Sequence, residues 1–296
     1  MPHSPDIPSA DGGVIHNIGY RRYQGPRLGR GYATRSLYEQ GLRGAFGLGR
    51  SGRSKVLPMA MFALPALIAV VVVAVQIVAG RTEPLVDYPQ YLRAIGLMTW
   101  IFVASQAPVM LSRDLRHQTV PLYFSRPITR ADYVRAKFAA MASALLIVMV
   151  VPLLVLYLGS ILGKQSIGHH TVHLLYGLVA AVLYAVLLAA ISLLIAASTP
   201  RRGFGVAAVM GVLVITNIVA GIVSGLAGDP GSSSGWAAML SPTMLVDGIV
   251  NQMFGLVTDA SVIHAPGALG LLAFWAEFLL LTAACYWFTD RRYRKI

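Results

Sequence analysis

Six uncharged or nearly uncharged runs, at residues 57–79, 94–111, 138–162, 172–197, 204–226 and 267–288, dominate the chain. A hydrocarbon core of about 30 Å is crossed by about 20 helical residues, so each run is long enough to span it. Strands of a membrane barrel would instead alternate apolar and polar residues over about ten positions, and these runs do not. Composition agrees: 56% of the 296 residues are hydrophobic and 12% charged, where a soluble domain holds about a quarter charged. The expected fold is an all-α polytopic membrane protein with six transmembrane helices in residues 57–296. The first run exceeds the apolar region of a cleaved signal peptide, so we read it as a retained helix.

Basic residues set the expected orientation. The segment 1–56 carries nine Lys and Arg, residues 113–137 six, the turn at Arg201 and Arg202 two, and the C-terminal tail four. The alternate segments carry two, one and none, the last being the long loop 227–266. Both termini and residues 113–137 are therefore placed in the cytoplasm. The net charge of +12 follows from this asymmetry against anionic inner-leaflet lipid and requires no nucleic-acid partner. Arg exceeds Lys twenty to four, and Ala, Gly and Val abound, which points to a high-GC bacterial genome and so to a bacterial inner membrane. Cys285 is the only cysteine, which excludes an intramolecular disulfide.

Before the first span, Leu37, Tyr38, Gly41, Leu42, Ala45 and Phe46 recur at helical spacing within residues 33–48, opposite Arg35, Glu39 and Arg43. This predicts an amphipathic elbow helix lying in the membrane interface. The adjoining "GLGRSG" (47–52) matches a dinucleotide fingerprint, but no strand precedes it and a membrane span follows, so it is read as a basic hinge. In the loop 227–266, Met244, Leu245, Ile249, Met253 and Phe254 have helical spacing after Pro242. That segment is expected at the outer interface, as a lid over the bundle or a gate.

Residues 113–137 are richer than a connection requires. Leu115, Thr119, Leu122 and Tyr123 share a helical face, Pro121 breaks the preceding helix, and Thr129 with Asp132 forms a capping-box-like start for the third span. The result is a short helical elbow with an apolar knob at Leu122 and Tyr123. Asp114, Gln118–Val120, Ser125–Pro127 and Lys137 fall in the order acid, Gly-Thr-Leu, Ser-x-Pro, lysine. That order resembles the first cytoplasmic loop of type-2 ATP-binding-cassette permeases, with Gln118 and Val120 in place of the usual glycine and leucine. The resemblance implies a cytoplasmic coupling helix contacting the ATPase through Asp114, Leu115, Thr119, Leu122, Tyr123 and Arg126. It also implies two cytosolic ATPase subunits that bind ATP and Mg, a second permease half of the same or a related chain, and outward transport of a lipid, drug or antibiotic-like amphiphile. This chain carries no phosphate-binding loop with its lysine, so no cofactor is expected in it and it is not expected to be an enzyme.

Gln106, Asn217 and Glu277 are polar positions within spans and are candidates for a substrate path or for hydrogen bonds between helices. His169 and His173 stand one helical turn apart, as metal ligands or as plain interfacial histidines. Gly205, Gly211, Gly221 and Gly225 suit close helix packing, and with the resemblance they mark the fifth span, with the second, as a dimer face. An intramembrane lipid-handling enzyme and a membrane anchor or sensor for a cytosolic protein stand as alternatives.

Overall fold

In the computed structural model, residues 25, 28–49, 52–80, 84–112, 114, 123, 128–163, 165–199, 201–227, 235–256 and 264–294 are described. They form nine α-helices and a 3-10 turn, with no strand among them: α1 (Arg30–Ala45), α2 (Gly52–Val78), α3 (Tyr88–Ala94), α4 (Gly96–Met110), α5 (Arg130–Leu162), α6 (Ile167–Ser198), α7 (Arg202–Leu226), the turn Gly235–Leu240, α8 (Pro242–Phe254) and α9 (Gly267–Arg294).

Five of these, α2, α5, α6, α7 and α9, are long and apolar enough to cross a membrane, and the α3–α4 pair makes a sixth if counted as one span. That pair is bent by 58°. At 1.5 Å per residue, the 15 residues of α4 cover only about 22 Å, so the second apolar run reaches full depth only with help from the oblique α3. The helix expected over 94–111 is α4 but for residues at its ends, whereas α3, set at an angle ahead of it, was not expected, because hydropathy reports depth and not direction.

The spanning helices alternate in direction along the chain, which leaves two ends. The basic end carries α1, the start of α5, the junction of α6 with α7, and the end of α9. The far end carries α3, the start of α6, and α8. The most buried span is α6, packed against α3, α4, α5, α7, α8 and α9. Its Ala180, Ala181, Ala185, Ala189 and Ala190 are nearly or fully buried. Small residues permit this, because lipid is as apolar as a side chain and helices associate in membranes by close packing.

Local signals set the helix ends. Thr129 accepts from the Asp132 amide while the Asp132 carboxylate accepts from the Thr129 amide, a complete capping box. Ser241 caps α8 by accepting from the Met244 amide, with Pro242 opening the first turn. The helix α5 has 33 residues and so is about 50 Å long, which carries its first turns well beyond a hydrocarbon core.

The elbow helix α1 packs on the bundle. Its apolar face does not meet lipid alone: Leu37, Gly41 and Ala45 are buried, with α1 packed on α5 and α4. A Cβ on Gly41 would come within 2.9 Å of the Ala140 Cβ, and the Tyr38 hydroxyl donates to Ser143 Oγ at 3.0 Å. The extension of α5 past the membrane supplies an apolar body that the run of 138–162 alone does not suggest. Likewise α8 is docked into the bundle, with Leu245, Val246 and Ile249 fully buried. A Cβ on Gly248 would meet the Phe274 ring at 2.5 Å.

Candidate functional site

At the basic end, the two ends of the loop resembling a coupling segment are tied together. Lys137 Nζ, on α5, lies 2.9 Å from Asp114 Oδ2 and donates to the Met110 carbonyl at 3.1 Å. Met110 is the last residue of α4, so one ammonium satisfies an orphan helix-end carbonyl and a carboxylate together. The Tyr133 hydroxyl donates to the same Asp114 oxygen at 2.7 Å. Its ring stands between Tyr123, at 5.7 Å, and Tyr293 of α9, at 5.1 Å. Ser112 donates to the Ala196 carbonyl at 2.9 Å, joining α4 to the end of α6. Arg30 of α1 donates from two nitrogens to Asp132, at 2.5 and 2.9 Å. The base of the loop is thereby bonded to α1, α4 and α5, and packed against α9 through Tyr293.

Tyr123 is half-buried against Tyr133 instead of standing off as a bare knob. Leu115, Thr119, Leu122 and Arg126 lie outside the described residues. Of the residues predicted for this region, the structure brings together Asp114, Tyr123 and Lys137.

At the far end, the α3–α4 bend opens a cavity of about 290 Å³ that extends toward the middle of the bundle. Leu92, Arg93, Leu97 and Trp100 line it from the bend, Tyr184 and Leu188 from α6, Asn217 from α7, and Thr243, Met244 and Asp247 from α8. The Tyr184 hydroxyl donates to Asp247 Oδ1 at 2.5 Å. Asn217 Nδ2 donates to Thr243 Oγ1 at 3.1 Å, and Thr243 Oγ1 is 3.2 Å from Ser241 Oγ. Burial pushes the Asp247 carboxyl up to about 6, against the opposing pull of the Tyr184 hydrogen bond and the Arg93 charge.

Only one of the three predicted substrate-path residues reaches this cavity. Asn217 lines it. Gln106 is buried in α4 and donates to Ser105 Oγ at 3.0 Å. Glu277 is half-buried on α9, away from the cavity, and its Oε2 has no hydrogen-bond partner among the described residues. Arg93, Trp100, Tyr184 and Asp247 were not foreseen. Asp247 carried a signal, an acid inside an apolar helical segment, but it falls outside the six runs and so escaped a search for charges within spans.

The histidines form a third group at the far end. The His169 and His173 rings are 4.0 Å apart, His173 Nδ1 lies 3.3 Å from Asp87 Oδ1, and His170 Nδ1 lies 3.2 Å from the Tyr88 hydroxyl. Among the described residues no group of three or more His, Cys, Asp or Glu is arranged to hold a metal. In α7, Gly205 packs on Pro108 and Gly221 faces Met244, while Gly211 and Gly225 face open space.

No curated protein sequence matches this chain at a significant level. A family model described as an ABC-2 family transporter protein matches residues 39–284, a segment that contains both the loop clamped by Asp114 and Lys137 and the far-end cavity. The chain is a multi-pass membrane protein that belongs to the ABC-2 family of transporter proteins.

Proposed function

We propose that this chain is the membrane half of an exporter, pairing with a second permease half and docking two cytosolic ATPases through residues 113–137. Family membership already implies an ABC ATPase as partner and a generally non-catalytic permease. The observation that carries the finer reading is the clamp at the loop base. Asp114 and Lys137 stand 23 positions apart and yet are joined by an ion pair of 2.9 Å. A force applied to the loop by a moving ATPase therefore reaches α4 and α5 through bonds, and α9 through the contact of the Tyr133 and Tyr293 rings.

The basic end faces the cytoplasm of a bacterial inner membrane, and the open faces of Gly211 and Gly225 on α7 turn toward the second half. The cargo is an amphiphile, since the cavity at the far end joins apolar walls to a few polar groups. An intramembrane enzyme is not favoured, given the family.

Copurification with a candidate ABC ATPase coexpressed with this chain tests the reading. Leu122→Arg should insert and fold yet retain less ATPase, because losing an anchor at the centre of an interface costs on the order of 2 kcal/mol or more. Wild-type ATPase retention by this variant contradicts the docking site. Cysteines placed by Ser125→Cys and Ser233→Cys in a Cys285→Ala background should react with an impermeant thiol reagent from opposite sides of the membrane. Labelling of Ser233→Cys only in inverted vesicles overturns the orientation.

A further inference from the structure

The far-end cavity holds two opposite charges that do not meet. Arg93, exposed on α3 at the bend, makes no hydrogen bond or ion pair through its guanidinium with any described residue. Asp247 accepts from Tyr184 through Oδ1, and its other oxygen has no partner among the described residues. Both side chains line the same space, with Trp100 and the apolar Leu97, Leu188 and Met244 between and around them. An unpaired carboxylate oxygen in such surroundings is costly unless something bonds it. Asp114 and Asp132 at the basic end are each paired with a basic residue, whereas the half-buried Glu277 also keeps an oxygen without a partner among the described residues.

We infer that this cavity is a binding site for the head of a zwitterionic amphiphile, with Arg93 taking its anionic group and Asp247 its ammonium. Trp100 offers an aromatic face for the same ammonium, and the apolar walls take the first part of the tail. A volume of about 290 Å³ lies at the small end for ligand pockets, which suits a head and its nearest methylenes. The shared chemistry is an anion and an ammonium a few bonds apart, as in a phosphoethanolamine lipid or in a free peptide-like zwitterion. The inference rests on the permease reading only for the word cargo; the binding itself needs no ATPase.

The test is equilibrium binding to the purified chain in phosphatidylglycerol nanodiscs, without ATPase. The probes are radiolabelled lyso-phosphatidylethanolamine, lyso-phosphatidylglycerol of equal chain length as the anion, and an alkylamine as the cation, with leucyl-phenylalanine as a soluble competitor. The wild type should bind the zwitterion about tenfold or more tightly than either singly charged probe, equivalent to about 1.4 kcal/mol. In Arg93→Gln the zwitterion should fall to the level of the alkylamine, and in Asp247→Asn to that of the anion. Displacement by the dipeptide identifies a free zwitterion as the source; its failure with lyso-lipid selectivity intact identifies a membrane lipid.

Equal binding of the three probes by the wild type overturns the inference. So does a zwitterion preference that survives in Arg93→Gln, which decides the matter alone if Asp247→Asn does not fold, since Arg93 is exposed. Failure of the transport reading looks different, as selective binding with no ATP-driven movement.

Discussion

The two ends of the bundle treat charge in opposite ways. At the basic end Asp114 is met by Lys137 and Tyr133, and Asp132 by Arg30 and Thr129. At the far end Arg93 and Asp247 line one cavity without forming an ion pair. Paired charges fix geometry, because breaking them strands a desolvated group. Unpaired charges of opposite sign across a cavity leave that stabilisation to be supplied by a ligand. On the function proposed above, transmission of force belongs to one end and recognition to the other.

The largest expected effect breaks the paired end. Lys137→Met removes the ammonium from the half-buried Asp114 carboxylate, and breaking one partner of such a pair costs up to about 3–5 kcal/mol. Folded yield and melting temperature in detergent should fall sharply. The double variant Asp114→Leu with Lys137→Met should recover much of the loss. Equal damage in both variants would mean that the pair does not act as a unit.

A packing change at the same end ranks next. Gly41→Leu drives a side chain into the Ala140 Cβ, only 2.9 Å from where a new Cβ would sit, and overpacking of this kind costs about 1–3 kcal/mol. The elbow should detach from α5, seen as faster proteolysis near α1 with the remaining spans intact.

The far end should respond to pH where the basic end does not. A carboxyl raised to about 6 in the fold holds protons that the unfolded chain has already released. Its contribution to stability is thus present in acid and fades as pH climbs through 6, an effect on the order of 1–2 kcal/mol once cavity water is allowed for. The titratable groups lining the cavity are Arg93 from α3, Tyr184 from α6 and Asp247 from α8, while α4, α5 and α7 contribute none. Relative to the wild type, Asp247→Asn should lose a contribution to the melting temperature that favours pH 5 over pH 8. Ammonium binding should run the other way and strengthen above pH 6, as the carboxyl ionises. The smallest effect belongs to the exposed Arg35–Glu39 pair of α1, where Arg35→Ala should change stability by about 0.3–0.5 kcal/mol.

The two ends were also unequally legible in the sequence. Near the basic end the partners are close along the chain or part of a motif: Thr129 and Asp132 form a local cap, and Asp114 and Lys137 bracket one loop. Apolar run length gave the spanning helices and Pro242 the start of α8. The cavity was not legible, because Arg93, Tyr184, Asn217 and Asp247 come from four segments and meet only through tertiary packing. The bend that opens it was hidden as well, since Ile95 stands at the edge of an apolar run whose hydropathy does not report the direction of the chain before it. Asn217 was singled out as polar within a span, which is a property of one residue; its neighbours are a property of the fold.

ATP-driven transport in proteoliposomes containing the chain and its partner ATPase, with bound cargo counted in the same vesicles, tests the division between the ends. With lyso-phosphatidylethanolamine as cargo, Leu122→Arg should bind like the wild type and transport little, whereas Asp247→Asn should retain ATPase and hydrolysis and fail to bind or move cargo. Wild-type transport by Leu122→Arg, or loss of ATPase retention in Asp247→Asn, would contradict it.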